Sequence, residues 1–380
     1  MPAPPSTMRD IAQRAGVHAS TVSRALRNDP RITETQRATI RRAAQELGYR
    51  SNPLIAALMT ARRSRSGHTY KATLGFLKKH PADRTAWFAQ NYGQLLAGAR
   101  TRALAQGYHL EEFNLEDPEL TPRRITEILQ HRGVQGLLVA PLHSVQDSID
   151  LDWNQFCTVA VGYSLNQVPV SRVAHNHFSG LILAVKACRS RGHRRLGLVL
   201  QERVAEKVGK RWVGAALLDQ SAQPPADRVP PLMLDRWEEA LFAAWFQTHQ
   251  PEVILGVNLA EVPHWLARLG KRVPQDVGVV SLDRRAGDRG IAGINQDYAH
   301  VGGNAVDLLI GMLQRNERGL PEKPSVVLSD GTWINGRSLR AKVQSRPRHR
   351  LRTAAWAAVS ASTSAHTRVS TGLMMRANST

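Results

Sequence analysis

The stretch TMRDIAQRAGVHASTVSRAL, residues 7–26, reads as two short amphipathic helices joined by a glycine-containing turn. In the first, Ile11, Ala12 and Ala15 share one face at helical spacing, and Thr7 with Asp10 three residues on can open it as a capping box with Asp in place of Glu. Gly16 ends it. Val17, Val22 and Leu26 then supply apolar contacts for a second helix whose early residues, Ala19, Ser20 and Thr21, are small or polar. Small, polar residues suit a helix entering the major groove, so the pair has the pattern of a helix-turn-helix that reads DNA.

Thr33 and Gln36 open a third helix by the same capping logic, with Ile40, Ala43, Ala44 and Leu47 at helical spacing and Gly48 at the expected C-terminal cap. Three such helices make a minimal headpiece. Its charge agrees, because residues 1–66 carry 12 Lys and Arg against 4 Asp and Glu. A basic surface of this kind favours phosphates.

At this point MRDIAQRAGVHASTVSRAL, followed by TETQRATIRRAAQELGYRSNPLIAAL, resembles the LacI/GalR class, the lactose-repressor-like bacterial transcriptional regulators. The resemblance rests on AGV, TVSRAL, ELGY and Asn52-Pro53 with Leu58 five residues on, and extends more weakly to about residue 340. It implies an all-α headpiece over 7–50 and a hinge helix with linker over 51–66. These precede a two-lobed α/β body over 71–340 with parallel sheets, like the periplasmic binding proteins. DNA contacts are implied for Thr7, Ala19, Ser20, Thr21, Ser23, Arg24, Arg27, Asn52 and Leu58. Two departures bear on them, since the family usually has Ser where His18 stands and often Asn where Arg27 stands. An imidazole can cap a helix or meet a phosphate, and Arg27 can reach the backbone, or both can simply be exposed.

Between headpiece and body, Asn52 can cap and Pro53 suits a first helical position, but Leu54 to Ala61 allow only about two turns. A helix so short is marginal alone and is expected to fold against DNA and its twin. The resemblance places Leu58 as the apolar wedge at the central base step; Leu54, Ile55, Leu58 and Met59 can equally be a stripe packing on the body. Arg62, Arg63 and Arg65 read as a basic linker.

From Lys71 strands alternate with helices: ATLGFL, a helix over about 92–106, a strand over 108–113, a helix over 122–131, GLLVAP and TVAVGYS. The series continues with a helix over 178–191, RLGLVL, helices near 212–220 and 237–249, VILGV and VGVVSLD. Such alternation predicts parallel sheets covered by helices, better divided into two lobes than built as one sheet. By the resemblance the chain crosses between lobes three times, giving residues 72–173 with about 298–325 to one lobe and 174–295 with 326–340 to the other.

Ligands of open α/β sheets sit outside the carboxyl ends of strands, so a small-molecule effector is expected between the lobes. Arg211 in Arg-x-x-Gly, Asn258 after VILGV and Asp283 after VVSL match effector-contacting positions of the family, and Lys79 and Tyr163 are further candidates at strand ends. Where the family usually carries acids, this chain has Leu259, Arg284 and Asn176, while Lys78, Lys79 and His80 add positive charge. The expected effector is therefore a sugar or a sugar acid. Trp87 and Trp212 can stack on a ring or belong to the core.

The chain of 380 residues has a formal net charge of +20, concentrated at its two ends, since residues 67–340 carry 32 basic against 27 acidic groups. That spread points to double-stranded DNA, as a pseudo-palindromic operator bound by a homodimer, as partner of the headpiece. Cys157 and Cys188 lack metal-ligand or redox spacing, and no cofactor or metal is expected. No apolar run spans a membrane and no secretory signal is read, which predicts a bacterial cytoplasmic, nucleoid-associated protein. Residues 341–380 have no acids and few large apolar residues after Trp356, so a disordered basic tail is expected. With no Ser-His-Asp order, P-loop or Gly-x-Gly-x-x-Gly, catalysis is not expected. The competing reading is a small-molecule-binding protein whose specific DNA binding is weak or lost.

Overall fold

The computed structural model describes residues 8–26, 31–47, 72–79, 86–116, 121–285 and 287–340, leaving aside the side chains of Ser23 and residues 86–90. The expected hinge and linker, the tail, and the contacts assigned to Thr7, Arg27, Asn52 and Leu58 lie outside these residues, as do His80 and the side chain of Trp87.

Three helices come first along the chain: α1 (Met8–Ala15), α2 (Ala19–Leu26) and α3 (Glu34–Glu46). Gly16 leaves α1 with φ +65°, a left-handed turn that any side chain would strain. Thr33 caps α3 by accepting from the Gln36 N–H at 3.4 Å. Ile11, Ala12, Val22, Ile40, Ala43 and Ala44 are buried together, as their spacing predicts, joined by Ala25 and Ile32; Ala15, Val17, Leu26 and Leu47 pack around them. Arg14 on α1 donates to Glu46 on α3 at 3.2 Å, an exposed pair that adds little.

The body holds β1 (Ala72–Lys78), α4 (Ala86–Ala105), β2 (Tyr108–Asn114), α5 (Pro122–His131), β3 (Gly136–Val139), β4 (Cys157–Val161) and β5 (Ser171–His175). It continues with α6 (His177–Arg189), β6 (Leu196–Gln201), α7 (Glu202–Lys207), α8 (Arg211–Ser221), β7 (Leu232–Leu234), α9 (Glu239–His249), β8 (Val253–Gly256) and α10 (Val262–Arg268). Last come β9 (Gly278–Ser281), β10 (Ala292–Asn295), α11 (Tyr298–Arg315), β11 (Val326–Ser329) and β12 (Thr332–Ile334).

These strands make two six-stranded sheets, ordered β11-β5-β4-β3-β1-β2 and β12-β10-β9-β8-β6-β7. Every pairing is parallel except β10 with β12, so the second sheet ends on an antiparallel edge. The first sheet is covered by α4 and α11 on one face and α5 on the other; α6 and α8 against α9 and α10 cover the second. Burial on both faces explains the near-continuous apolar strands GLLV and VILG.

The lobe boundaries need one correction. Residues 326–329, expected in the second lobe, complete the first sheet beside β5. The Arg172 N–H donates to the Ser325 carbonyl at 2.9 Å and the Asn176 N–H to the Ser329 carbonyl at 2.8 Å, so β11 satisfies an edge that β5 would otherwise leave open. The chain thus crosses between sheets after β5, after β10 and after β11. At the first crossing Asn176 caps α6 through the Ser179 N–H and donates to Asp330 at 2.9 Å, joining the first and third crossings.

Candidate functional site

On the headpiece, burial of Val22 and Ala25 on one side of α2 turns Ser20 and Arg24 outward, with Ala19 and Thr21 half-buried at the margin. His18 takes the capping role open to an imidazole: the Ser20 N–H donates to its Nδ1 at 3.3 Å, and the Ser20 hydroxyl lies 2.9 Å from the same nitrogen. Ser20 is therefore held at the start of α2 while its neighbour Thr21 stands one position further along. Among the described side chains that outward face is short and polar and carries the Arg24 guanidinium.

The body has a cavity of about 710 Å³ between its two lobes, walled by residues just past the carboxyl ends of β3, β4, β5, β6, β8, β9 and β10 and by α4. Tyr163, Asn258 and Asp283 line it, as the strand-end argument expects. Lys79 and Arg211 are not among the lining residues. The Lys79 ammonium donates to the Ser148 carbonyl at 2.8 Å, and Lys78 pairs with Glu112 at 3.2 Å, so the lysines at the end of β1 serve the first lobe's own surface. Arg211 sits behind the wall, its guanidinium 3.5 Å from the centre of the Tyr163 ring and donating to the Val208 carbonyl at 2.8 Å. Tyr163 follows β4 of the first lobe and Arg211 begins α8 of the second, so this stack crosses the cleft.

A second link across the cleft centres on Asp283, whose side chain is buried. Asn91 of α4 donates to its Oδ2 at 3.3 Å and the Tyr298 hydroxyl to the same oxygen at 3.1 Å. Burial, then the charge of Asp283, push the Tyr298 phenol well above its ordinary pKa, so it keeps the proton it donates. Asn258, with φ +55°, accepts from Arg285 at 3.2 Å. Arg284 donates to the Ile291 carbonyl and Leu259 is buried, so neither extends the polar wall.

Between Tyr163 and Trp212 lies a row of rings. His177 meets Trp212 edge-on at 4.7 Å between centres and His175 at 5.1 Å. Burial pushes His175 down to about 4; burial, then the neighbouring His175 and Arg211, push His177 well below 6.5, so both are neutral at neutral pH. Trp212 belongs to the core, 3% exposed and packed in the second lobe, and also lines the cavity.

Sequence reasoning missed Asn91, His175, His177, Gln201, Arg203, Gln296 and Tyr298, all of which line the cavity. His175 and Gln296 end or follow β5 and β10, short strands spelled SRVAH and AGIN, whose apolar signal is too thin to read. Had those strands been recognised, the strand-end rule would have named them. Asn91 and Tyr298 come from helices α4 and α11, which that rule does not reach. Cys157 and Cys188 are buried away from the site, and burial pushes their thiols up to about 11 and about 12.

Comparison with known proteins gives two family matches: residues 7–52 to Bacterial regulatory proteins, lacI family, and residues 185–339 to the Periplasmic binding protein-like domain. The HTH-type transcriptional repressor PurR of Pasteurella multocida is 23% identical over 317 residues, covering 80% of this chain and 91% of that protein. The ribose operon repressor of Escherichia coli K12 is 28% identical over 196 residues, covering 51% of this chain and 55% of that protein. In fold, the lac repressor dimer bound to operator and the anti-inducer ONPF superposes with a TM-score of 0.53 at 19% identity, covering 89% of this chain and all of that one.

Proposed function

We propose that this chain, whose residues 7–52 match the lacI family of bacterial regulatory proteins and residues 185–339 the periplasmic binding protein-like domain, represses transcription at a specific operator under the control of a small molecule bound between the body lobes. The DNA-reading surface is Ala19, Ser20, Thr21, Ser23 and Arg24 of α2 with Thr7 and Arg27 beside it, and Asn52 and Leu58 act in a hinge helix. The effector is a sugar or sugar acid held by Tyr163, Asn258 and Asp283, with Arg211 acting through the ring of Tyr163. Lys79 takes no part in that grip. The protein works in the bacterial cytoplasm as a homodimer, and its body binds without catalysing.

The observation that carries this reading is that both lobes contribute polar groups to one cavity. A ligand there has different affinities for the closed and open body, and only such a difference can move a DNA-binding equilibrium. Mobility shift with genomic fragments, followed by anisotropy of the retained fragment with and without ligands found in a thermal-shift screen of sugars and sugar acids, tests both halves. Ligand binding with no fragment retained would instead favour a small-molecule-binding protein that has lost specific DNA reading.

A further inference from the structure

We propose that the pole of the second lobe opposite the cavity is a docking surface for the phosphate backbone of double-stranded DNA, formed by Arg191, Arg194, Arg195, Arg228, Lys271 and Arg340. It takes duplex without regard to sequence and is separate from both the headpiece and the cavity.

Because β6, β8 and β9 run parallel, the loops leading into them meet at the end of the lobe away from the cavity. Hydrogen bonds tie these loops together. Arg195 donates to the carbonyls of Ala226, His249 and Gln250, the last at 3.3 Å. The Arg194 N–H donates to Glu252 at 2.7 Å, and Arg228 donates to the Gln223 carbonyl at 2.9 Å in the loop that Arg195 reaches through Ala226. A ring nitrogen of His193 lies 2.8 Å from the Arg340 carbonyl, and the Arg340 guanidinium donates to the Gln275 carbonyl at 2.6 Å. Lys271 is exposed in the same loop as Gln275. Arg191 donates to Asn335 at 2.6 Å, just after β12 on the way to Arg340.

Charge at this pole is one-sided. Two of its cations are neutralised, Arg189 by Asp219 at 2.6 Å and Arg272 by Asp276 at 3.0 Å, and the hydrogen bonds from Arg272 hold the Asp276 carboxyl down to about 2. Arg195, Arg228 and Arg340 instead rest on neutral carbonyls, which fix their guanidiniums and leave their charge uncompensated. Part of that charge offsets the negative C-terminal end of α9 at His249 and Gln250. The rest faces solvent, since Arg194, Arg228, Lys271 and Arg340 are exposed. Residues 67–340 carry 32 basic against 27 acidic groups, so this excess is local, and the chain runs on from Arg340 into residues 341–380 with seven basic and no acidic residues. None of the exposed large apolar side chains among the described residues falls in these loops, and the half-buried Trp333 ring lies beneath Arg191 at 5.6 Å. A cationic face with neither an apolar patch nor an exposed ring matches a duplex backbone better than a bilayer, an apolar protein interface or stacked single strands.

The test is lysine acetylation of the full chain, read residue by residue by mass spectrometry, with and without a short duplex of arbitrary sequence. The headpiece also meets such a duplex, but Lys271 reports on the pole alone. The expected result is that duplex protects Lys271 at low salt and not at high salt, while Lys323, exposed on the first lobe, stays reactive. Arg194→Gln with Arg228→Gln should raise the duplex concentration for half-protection at least about tenfold and lower its logarithmic salt slope by roughly 2, as about 0.9 per lost phosphate contact requires. A wild-type urea midpoint shows the double variant folded. Should it not fold, Arg194→Gln alone is read, because its guanidinium has no partner among the described residues, and a slope lower by roughly 1 is expected. Equal reactivity of Lys271 with and without duplex, or half-protection that the substitutions leave unmoved, overturns the proposal. Protection by phosphatidylserine vesicles and none by duplex overturns it too and assigns the pole to a membrane surface. Each of these results leaves the operator and cavity readings standing.

Discussion

Asp283 both lines the cavity proposed for the ligand and joins the two lobes. Its carboxylate is one acceptor for two donors from the opposite side of the cleft, Asn91 and Tyr298, so removing it leaves both without it in a buried place. Asp283→Ala is expected to destabilise the body by about 1–3 kcal/mol in urea unfolding, and Tyr298→Phe by about 1 kcal/mol. A wild-type midpoint in Asp283→Ala would mean the two bonds contribute nothing. His175 makes a pH prediction. Folded, its pKa is depressed to about 4; unfolded, it binds a proton as pH falls through about 6.5. The unfolded state therefore binds more protons between those values, and stability falls as pH is lowered through that window, by roughly 1.4 kcal/mol per unit. His175→Gln should reduce the dependence measured from pH 7 to pH 5, with His177 keeping its own share; an unchanged slope would assign it to other groups.

Among the elements, the crossing of α4 and α11 sets where Asn91 and Tyr298 stand. Gly98 on α4 and Gly302 on α11 let the two backbones touch: a Cβ on Gly98 would fall on the Ala299 carbonyl and one on Gly302 on that of Leu95. Glycine inside a helix is unfavourable by about 1 kcal/mol, and close packing is what retains it here. Gly98→Ala, harmless in an isolated helix, is expected to cost about 1–3 kcal/mol by overpacking and to weaken ligand binding as the Asn91 and Tyr298 donors shift. Stabilisation by this substitution would show that the helices separate freely. In the headpiece, α2 is held by its buried Val22 and Ala25, so changes on its outer face should leave folding alone. Thr21→Ala is expected to cost about 1–3 kcal/mol at the cognate operator and little on random DNA. Equal losses on both would remove Thr21 from base reading.

For the molecule as a whole, the proposed operator reading gives one headpiece only half a site, so specific binding would require two chains. Light scattering should give a dimer at micromolar concentration, and footprinting a pseudo-palindrome of about 14–20 base pairs whose half-sites lie about one or two helical turns apart. A monomer that still binds its operator tightly would refute the arrangement.

The headpiece was almost wholly legible because its information is local: caps at Thr33, the turn at Gly16, and apolar positions three and four residues apart dictate each helix and the face it buries. The two-lobed body was legible as a class, since each parallel strand buried on both faces writes an apolar run into the chain. Asn258 and Asp283 were readable because they directly follow such runs. What the chain order alone could not assign is where non-local pairing decides: β11 joins β5 across about 150 residues, and Arg211 turns from the cavity onto Tyr163 of the other lobe. The same holds for Asp283, whose partners Asn91 and Tyr298 sit on helices with no strand to announce them. Those contacts depend on how two sheets face each other, and only the folded chain, by burying their polar groups together, gives each a partner.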